Sequence, residues 1–344
     1  MKHSPFLVLL SLAAASLSAA EYRVIGYYMS WTQDAYPPSR IPFEHLTHVA
    51  HAFAWPEADG TLKTYNNFPS PDLIRLAHAN GVAVILSVGG WGNSGGFAAM
   101  AASPESRARF ITAVVSYCRA WGYDGVDLDW EYPKKEDREN LARLFAELRA
   151  ALNREKIRYL SAAVPAHDWA GGYDSETVRK HLDWVGLMTY DFSGSWNDRS
   201  GHNAPLFPSG DTPNGALVQG LRRWTEEKDI PTSQVCIGLP FYGRLFYSPG
   251  LNRESTGGDM VTYAESLKMT EGWTANWDKD ACVPWFQDPE QKRFLSLDDP
   301  RSIEAKCNLV REEKLGGVII WALGQDDCGT SQPLLQKVGS LLRP

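Results

Sequence analysis

The chain has 344 residues, a formal net charge of −7 at pH 7, and 44% hydrophobic residues. Such an acidic balance argues against nucleic acid or an anionic membrane surface as a partner. Its five cysteines (Cys118, Cys236, Cys282, Cys307 and Cys328) contain no CxxC pair, so the sequence offers zinc or thiol redox chemistry no support.

Residues 1–20 read as a secretory signal peptide: Lys2, the apolar run PFLVLLSLAAA, then Ser18-Ala19-Ala20 before Glu21. The run is too short for a membrane span. A secreted protein, extracellular or periplasmic, is expected, with residues 21–344 as its catalytic domain. Export permits disulfides, and the pairing stays open. Thirteen Trp and fourteen Tyr exceed the ordinary need of a core this size, and many sit beside apparent strand ends. Aromatic faces stack on sugar rings, although composition alone equally describes a Trp-rich core.

Strands are expected at 22–28 (YRVIGYY), 48–54, 82–90, 122–130, 159–165, 184–190, 235–240 and 317–323. Helical patterns lie between them, notably at 70–80, 103–121 and 136–152, and Ser70 and Ser103 offer N-caps. Strand then helix, repeated, demands parallel strands with crossover helices. The predicted fold class is therefore α/β, a closed (β/α)8 TIM barrel, with a doubly wound open sheet as the alternative. No GxGxxG follows the first strand and no GxxxxGK[ST] occurs, which weakens that alternative. About 75 residues (241–316) separate the seventh and eighth strands, far more than a βα loop needs. The stretch from about 245 to 295 is expected to form a small inserted lobe walling the C-terminal face.

The fourth strand carries the most informative segment, DGVDLDWEYP at 124–133. Alternate residues of a strand share a face, so Asp127, Asp129 and Glu131 line up, successive Cβ atoms roughly 6–7 Å apart. Asp124 has the opposite parity and suits a scaffold role. Like charges this close share protons, which raises at least one pKa and keeps a carboxyl ready to act as a general acid. Glu131 comes last and should stand at the barrel mouth. A metal site would need histidine partners. His45, His48 and His51 cluster near the second strand, but alternation puts His48 and His51 on opposite faces, so structural roles fit them better. Neither metal nor cofactor is expected.

DGVDLDWEYP resembles the DxxDxDxE signature of family 18 glycoside hydrolases, the chitinases, in the form of a bacterial-type catalytic domain alone. LSVGGW (86–91), LMTYDF (187–192), GLPFYGR (238–244) and GGVIIWAL (316–323) resemble further elements of that family, in the right order. The resemblance implies a monomeric, retaining hydrolase of β-1,4-linked N-acetylglucosamine, acting on chitin or its oligosaccharides. In such enzymes the substrate's 2-acetamido oxygen, not a protein carboxylate, attacks the anomeric carbon. It also implies the roles. Glu131 would be acid and base, Asp129 would orient the acetamido group, Asp127 would buffer Asp129, and Tyr190 would hold the acetamido oxygen. Trp321 would floor the reacting sugar's subsite, with Asp191, Met188, Tyr242 and Arg244 lining it. Tyr28, Phe53, Trp91 and Trp196 are candidate walls or sugar platforms. Cis peptides are implied at Ala52–Phe53 and Trp321–Ala322. The insertion looks shorter than the α+β lobe of many relatives, which argues against a deep tunnel. Two rival readings remain: a non-catalytic lectin on the same fold, and a glycosidase of N-glycans or peptidoglycan.

Overall fold

The computed structural model describes residues 22–210 and 215–343, so the leader-like segment lies outside the described residues. In chain order the first strands are β1 (Arg23–Met29), β2 (His48–Pro56), β3 (Leu62–Thr64) and β4 (Ala83–Gly89). They continue with β5 (Gly125–Asp129), β6 (Tyr159–Pro165), β7 (Trp184–Met188) and β8 (Val235–Pro240). After an inserted lobe, β14 (Gly317–Trp321) pairs in parallel with β8 and β1, and β1 pairs with β2, which closes the ring. Only β3, a hairpin partner of β2, stands outside the eight barrel strands of that sheet. The expected TIM barrel is the observed fold.

The helices wrap the ring: α1 (Pro71–Ala79), α2 (Phe97–Ala102), α3 (Pro104–Trp121), α4 (Arg138–Arg154), α5 (Ser175–His181) and α6 (Leu217–Arg222). In α3 the Ser103 hydroxyl accepts from the Ser106 N–H, Pro104 opens the first turn, and Gly122 at φ +84° ends the helix. Phe110, Ile111, Val114, Val115 and Cys118 are its buried face, the three-to-four spacing that packs one side of a helix. Ser70 occupies the N-cap position of α1, but its hydroxyl makes no cap bond.

Both faces of the strands are buried, and they feed two cores. Ile25, Tyr27, Phe53, Ile85, Trp184 and Ile319 fill the barrel interior. Val24, Tyr28, Val84, Val126 and Leu128 face the surrounding helices. His48 points inward against Tyr159 and Trp184, while His51 points outward, stacked on Phe68 and bonded to the Tyr123 hydroxyl. Asp124 caps the barrel floor, accepting from the Val84 N–H and facing His78.

The lobe begins at β9 (Tyr242–Phe246), earlier than the expected 245, and adds β10 (Gly258–Thr262) and α7 (Tyr263–Met269). Strands β11 (Thr274–Asp278), β12 (Val283–Gln287) and β13 (Phe294–Ser296) complete an antiparallel sheet of order β10-β9-β13-β12-β11. With α7 beside that sheet, the insertion is an α+β lobe. The chain then returns through α8 (Pro300–Glu312) to β14 and ends in α9 (Pro333–Leu342). None of the described helices is long and apolar enough to cross a membrane. None of the five cysteines forms a disulfide.

One buried ion pair fastens the lobe's exit to α8. Lys306 Nζ lies 2.7 and 2.6 Å from the two Asp298 carboxylate oxygens, with both side chains at 0% exposure. The Ser302 hydroxyl donates to the same carboxylate. Lys306→Met would strand a buried anion, so a loss of about 3–5 kcal/mol in denaturant-unfolding stability is expected. A loss below about 1 kcal/mol would show that the pair contributes no more than an exposed one.

Candidate active site

The C-terminal mouth of the barrel opens into a cleft of about 960 Å³. Trp31, Phe53, Trp91, Trp169, Trp196 and Trp321 are among its walls, and Asp129 and Glu131 sit at its floor. Trp91 is 80% exposed, Trp169 65% and Trp196 58%, a large cost in solvated apolar surface unless a ligand covers it. Phe53 stacks on Trp321 at 5.7 Å and 15°, which fixes the Trp321 indole as a flat base for the cleft. Peptide bonds Ala52–Phe53 and Trp321–Ala322 are both cis, and Glu131–Tyr132 is a third.

The acidic ladder of β5 descends from this floor into the barrel. Asp127 is deepest, and three hydroxyls hold it: Tyr27 and Ser87 donate to Oδ2 at 2.8 and 2.9 Å, and Ser161 donates to Oδ1 at 2.7 Å. Burial raises its pKa, and the three hydroxyls counter that rise. Asp129, next above, is pushed well upward by burial, then by Glu131 and Asp127. Its Oδ1 is buried and hydrogen-bonds to no protein group. Glu131 at the top is raised to about 7, by burial first and by the Asp191 carboxylate next. The Tyr132 hydroxyl and the Trp91 N–H favour its charged form and limit that rise.

The loop after β4 makes the second of these contacts possible. Gly90 takes φ +89° and gives its N–H to the Asp129 carbonyl, and a Cβ there would lie 2.4 Å from the Phe53 ring. Only glycine lets the chain turn so tightly between ring and strand and aim the next N–H at Glu131.

Tyr190 and Asp191 follow β7, which ends at Met188, two residues before the expected 190. Tyr190 is half-buried at the cleft wall, and desolvation followed by Asp129 and Glu131 drives its phenol far above the ordinary value, so it remains a donor. Asp191 adopts φ +58° and meets Arg244 through Nε at 2.8 Å and Nη2 at 2.6 Å. Arg244 lies over the rings of Trp196 and Tyr242. Tyr242 and Arg244 belong to β9, so the lobe itself supplies this wall. Met188 lines the cleft beside them.

Tyr28 is not in the cleft, which corrects its place as a candidate wall. It is fully buried between barrel and helices, donating to the Tyr36 carbonyl. Its neighbour Tyr27 has the inward parity and holds Asp127 instead. Sequence reasoning also missed Ser87, Ser161, Trp31 and Trp169. Ser87 lay inside the LSVGGW element, the one available signal.

A model of glycosyl hydrolases family 18 matches residues 23–326. The chain belongs to this family. It is 31% identical over 389 residues to an endochitinase of Manduca sexta, across 96% of this chain and 69% of that protein. A probable endochitinase of Caenorhabditis elegans is also 31% identical, across 88% of this chain and 56% of its own length. The Group IV chitinase of Ostrinia furnacalis in complex with allosamidin superposes with a TM-score of 0.85 at 28% identity, covering 94% of this chain and 99% of that one. These are insect and nematode proteins, so the likeness is not particularly bacterial. As a family 18 member of the chitinase group, the protein is a glycoside hydrolase, and Glu131 is the last acid of its DxxDxDxE motif.

Proposed function

We propose that this protein is a secreted, monomeric chitinase that cleaves β-1,4 linkages of N-acetylglucosamine polymers with retention, using the substrate's acetamido group as nucleophile. The observation that carries this reading is the Asp129 carboxylate, with one buried oxygen free of protein hydrogen bonds beneath the cleft. An acetamido N–H supplies the donor that oxygen lacks. Asp129 then turns the acetamido oxygen toward the anomeric carbon, and the Tyr190 hydroxyl donates to that oxygen. Glu131 protonates the glycosidic oxygen and later takes a proton from water. Asp127, its carboxylate held by three donated hydroxyl hydrogen bonds that spread its charge, sits beneath Asp129, which carries negative charge as positive charge develops above it. The Trp321 indole supports the distorted ring. Asp191 faces Glu131 from across the cleft, but its carboxylate is engaged by Arg244, which disfavours it as a nucleophile.

A lectin reading accounts for the exposed tryptophans but not for a terminal acid tuned to about 7. The acid must be protonated to act, so kcat/KM is expected to be high below about pH 7 and to fall as pH rises through Glu131's pKa. A profile on chitin oligosaccharides that stays flat from about pH 5 to about pH 9 would contradict the assignment. A high-mannose glycoprotein in parallel separates chitin from N-glycan as the substrate; cleavage of the glycoprotein alone would move the activity to N-glycans.

A further inference from the structure

The loop that follows Tyr190 leaves the cleft, folds against the lobe and returns through Asn203. That residue is 1% exposed, and its polar groups join three separate elements. Its Oδ1 accepts from the Asp191 N–H at 3.0 Å, and its Nδ2 donates to the Tyr242 carbonyl at 3.0 Å. Because one partner can only donate and the other can only accept, the amide has a single workable orientation. The Asn203 carbonyl accepts from the Phe192 N–H, and its own N–H donates to Ser296 Oγ. Ser296 Oγ also bonds His202 Nδ1, and His202 Nε2 meets Asp278 on the outer strand of the lobe at 3.1 Å.

We infer that Asn203 is a positioning residue for catalysis, through which the lobe holds Asp191 in place. Asp191 sits in the left-handed region, uncommon for a non-glycine residue although Asp enters it more readily than most, and the bond from its N–H to Asn203 holds it there. Asn203 is bonded to the N–H of Asp191 and that of the next residue, so it fixes the peptide that turns the carboxylate toward Arg244 and Glu131. It touches neither the acid ladder nor the cleft, and acts through Asp191. The lobe is then part of the reaction geometry as well as a wall.

This inference rests on the proposed chitinase activity, and its test separates the two. The wild-type enzyme and Asn203→Ala are assayed on N-acetylglucosamine tetramer across pH, with folding checked by circular dichroism and thermal melting. Released from its anchor, Asp191 no longer faces Glu131. The groups still facing that acid are Asp129 on its own strand, the adjacent Tyr132, Tyr173 and Tyr190, with Arg244 behind Asp191. Glu131 therefore loses a neighbour that raises its pKa, and the basic limb moves to lower pH. A drop of roughly 10–100-fold in kcat is expected, the scale of a small misplacement in a reacting geometry, with KM changed far less. A folded Asn203→Ala enzyme with the wild-type limb and kcat would overturn the inference. Ser296→Ala, which leaves the Asn203 side chain and its bond to the Tyr242 carbonyl intact but cuts its other lobe anchor, provides a second arm with a smaller shift in the same direction. If Asn203→Ala does not fold, an unchanged limb in Ser296→Ala overturns the inference. An inactive wild type would defeat the chitinase reading instead.

Discussion

Glu131→Gln is expected to reduce turnover of chitin oligosaccharides by ~10²–10⁴-fold or more, because one group serves as both acid and base. The amide keeps the carboxylate's shape and still offers an acceptor oxygen to the Trp91 N–H and the Tyr132 hydroxyl, the groups that favour the charged Glu131. The aromatic platforms are untouched, so oligosaccharide binding by calorimetry should survive. Folding stability should hold or rise, since the substitution removes a buried carboxyl pressed by Asp129 and Asp191. Near-normal turnover by the purified variant would end the assignment of Glu131 as the acid.

Fully deacetylated chitosan oligomers are expected to bind the cleft yet react at least ~10³-fold more slowly than their acetylated counterparts. They keep the linkage and lose only the internal nucleophile. Asp127, Asp129 and Glu131 stand on or just beyond one strand, so none of the ladder lies opposite the acid in the way a protein nucleophile must. Asp191 does face Glu131, but it is tied to Arg244. A cyclic thiazoline analogue should inhibit, because it resembles the intermediate in which the acetamido oxygen has closed on the anomeric carbon. Efficient cleavage of deacetylated oligomers would assign the attack to a protein carboxylate, with Asp191 the first to examine.

The barrel and the acid ladder were legible for the same reason: each breaks a background with a short period. Carboxylates at every second position inside an apolar run stand out from neighbours that have no reason to be charged. Tyr27 and Tyr28 show where that reasoning fails. Both faces of β1 are buried, so the strand carries no alternation of polarity to say which tyrosine points inward. The lobe was legible as an insertion but not as a sheet, since its strands are short and interrupted by Gly- and Asp-rich turns. Asn203 had no sequence signal at all. A buried amide in a loop reads as an ordinary turn residue until its partners, distant in the chain, are brought to it.

The measurement that bears most directly on the central claim is proton NMR of the sugar anomers released in the first minutes of N-acetylglucosamine tetramer hydrolysis. Attack by the acetamido oxygen from one face, followed by water from the other, predicts that the new reducing end appears first as the β-anomer, the α-anomer growing only by mutarotation. Initial release of the α-anomer would mean direct displacement by water, and no release at all would leave a chitin-binding protein in place of an enzyme.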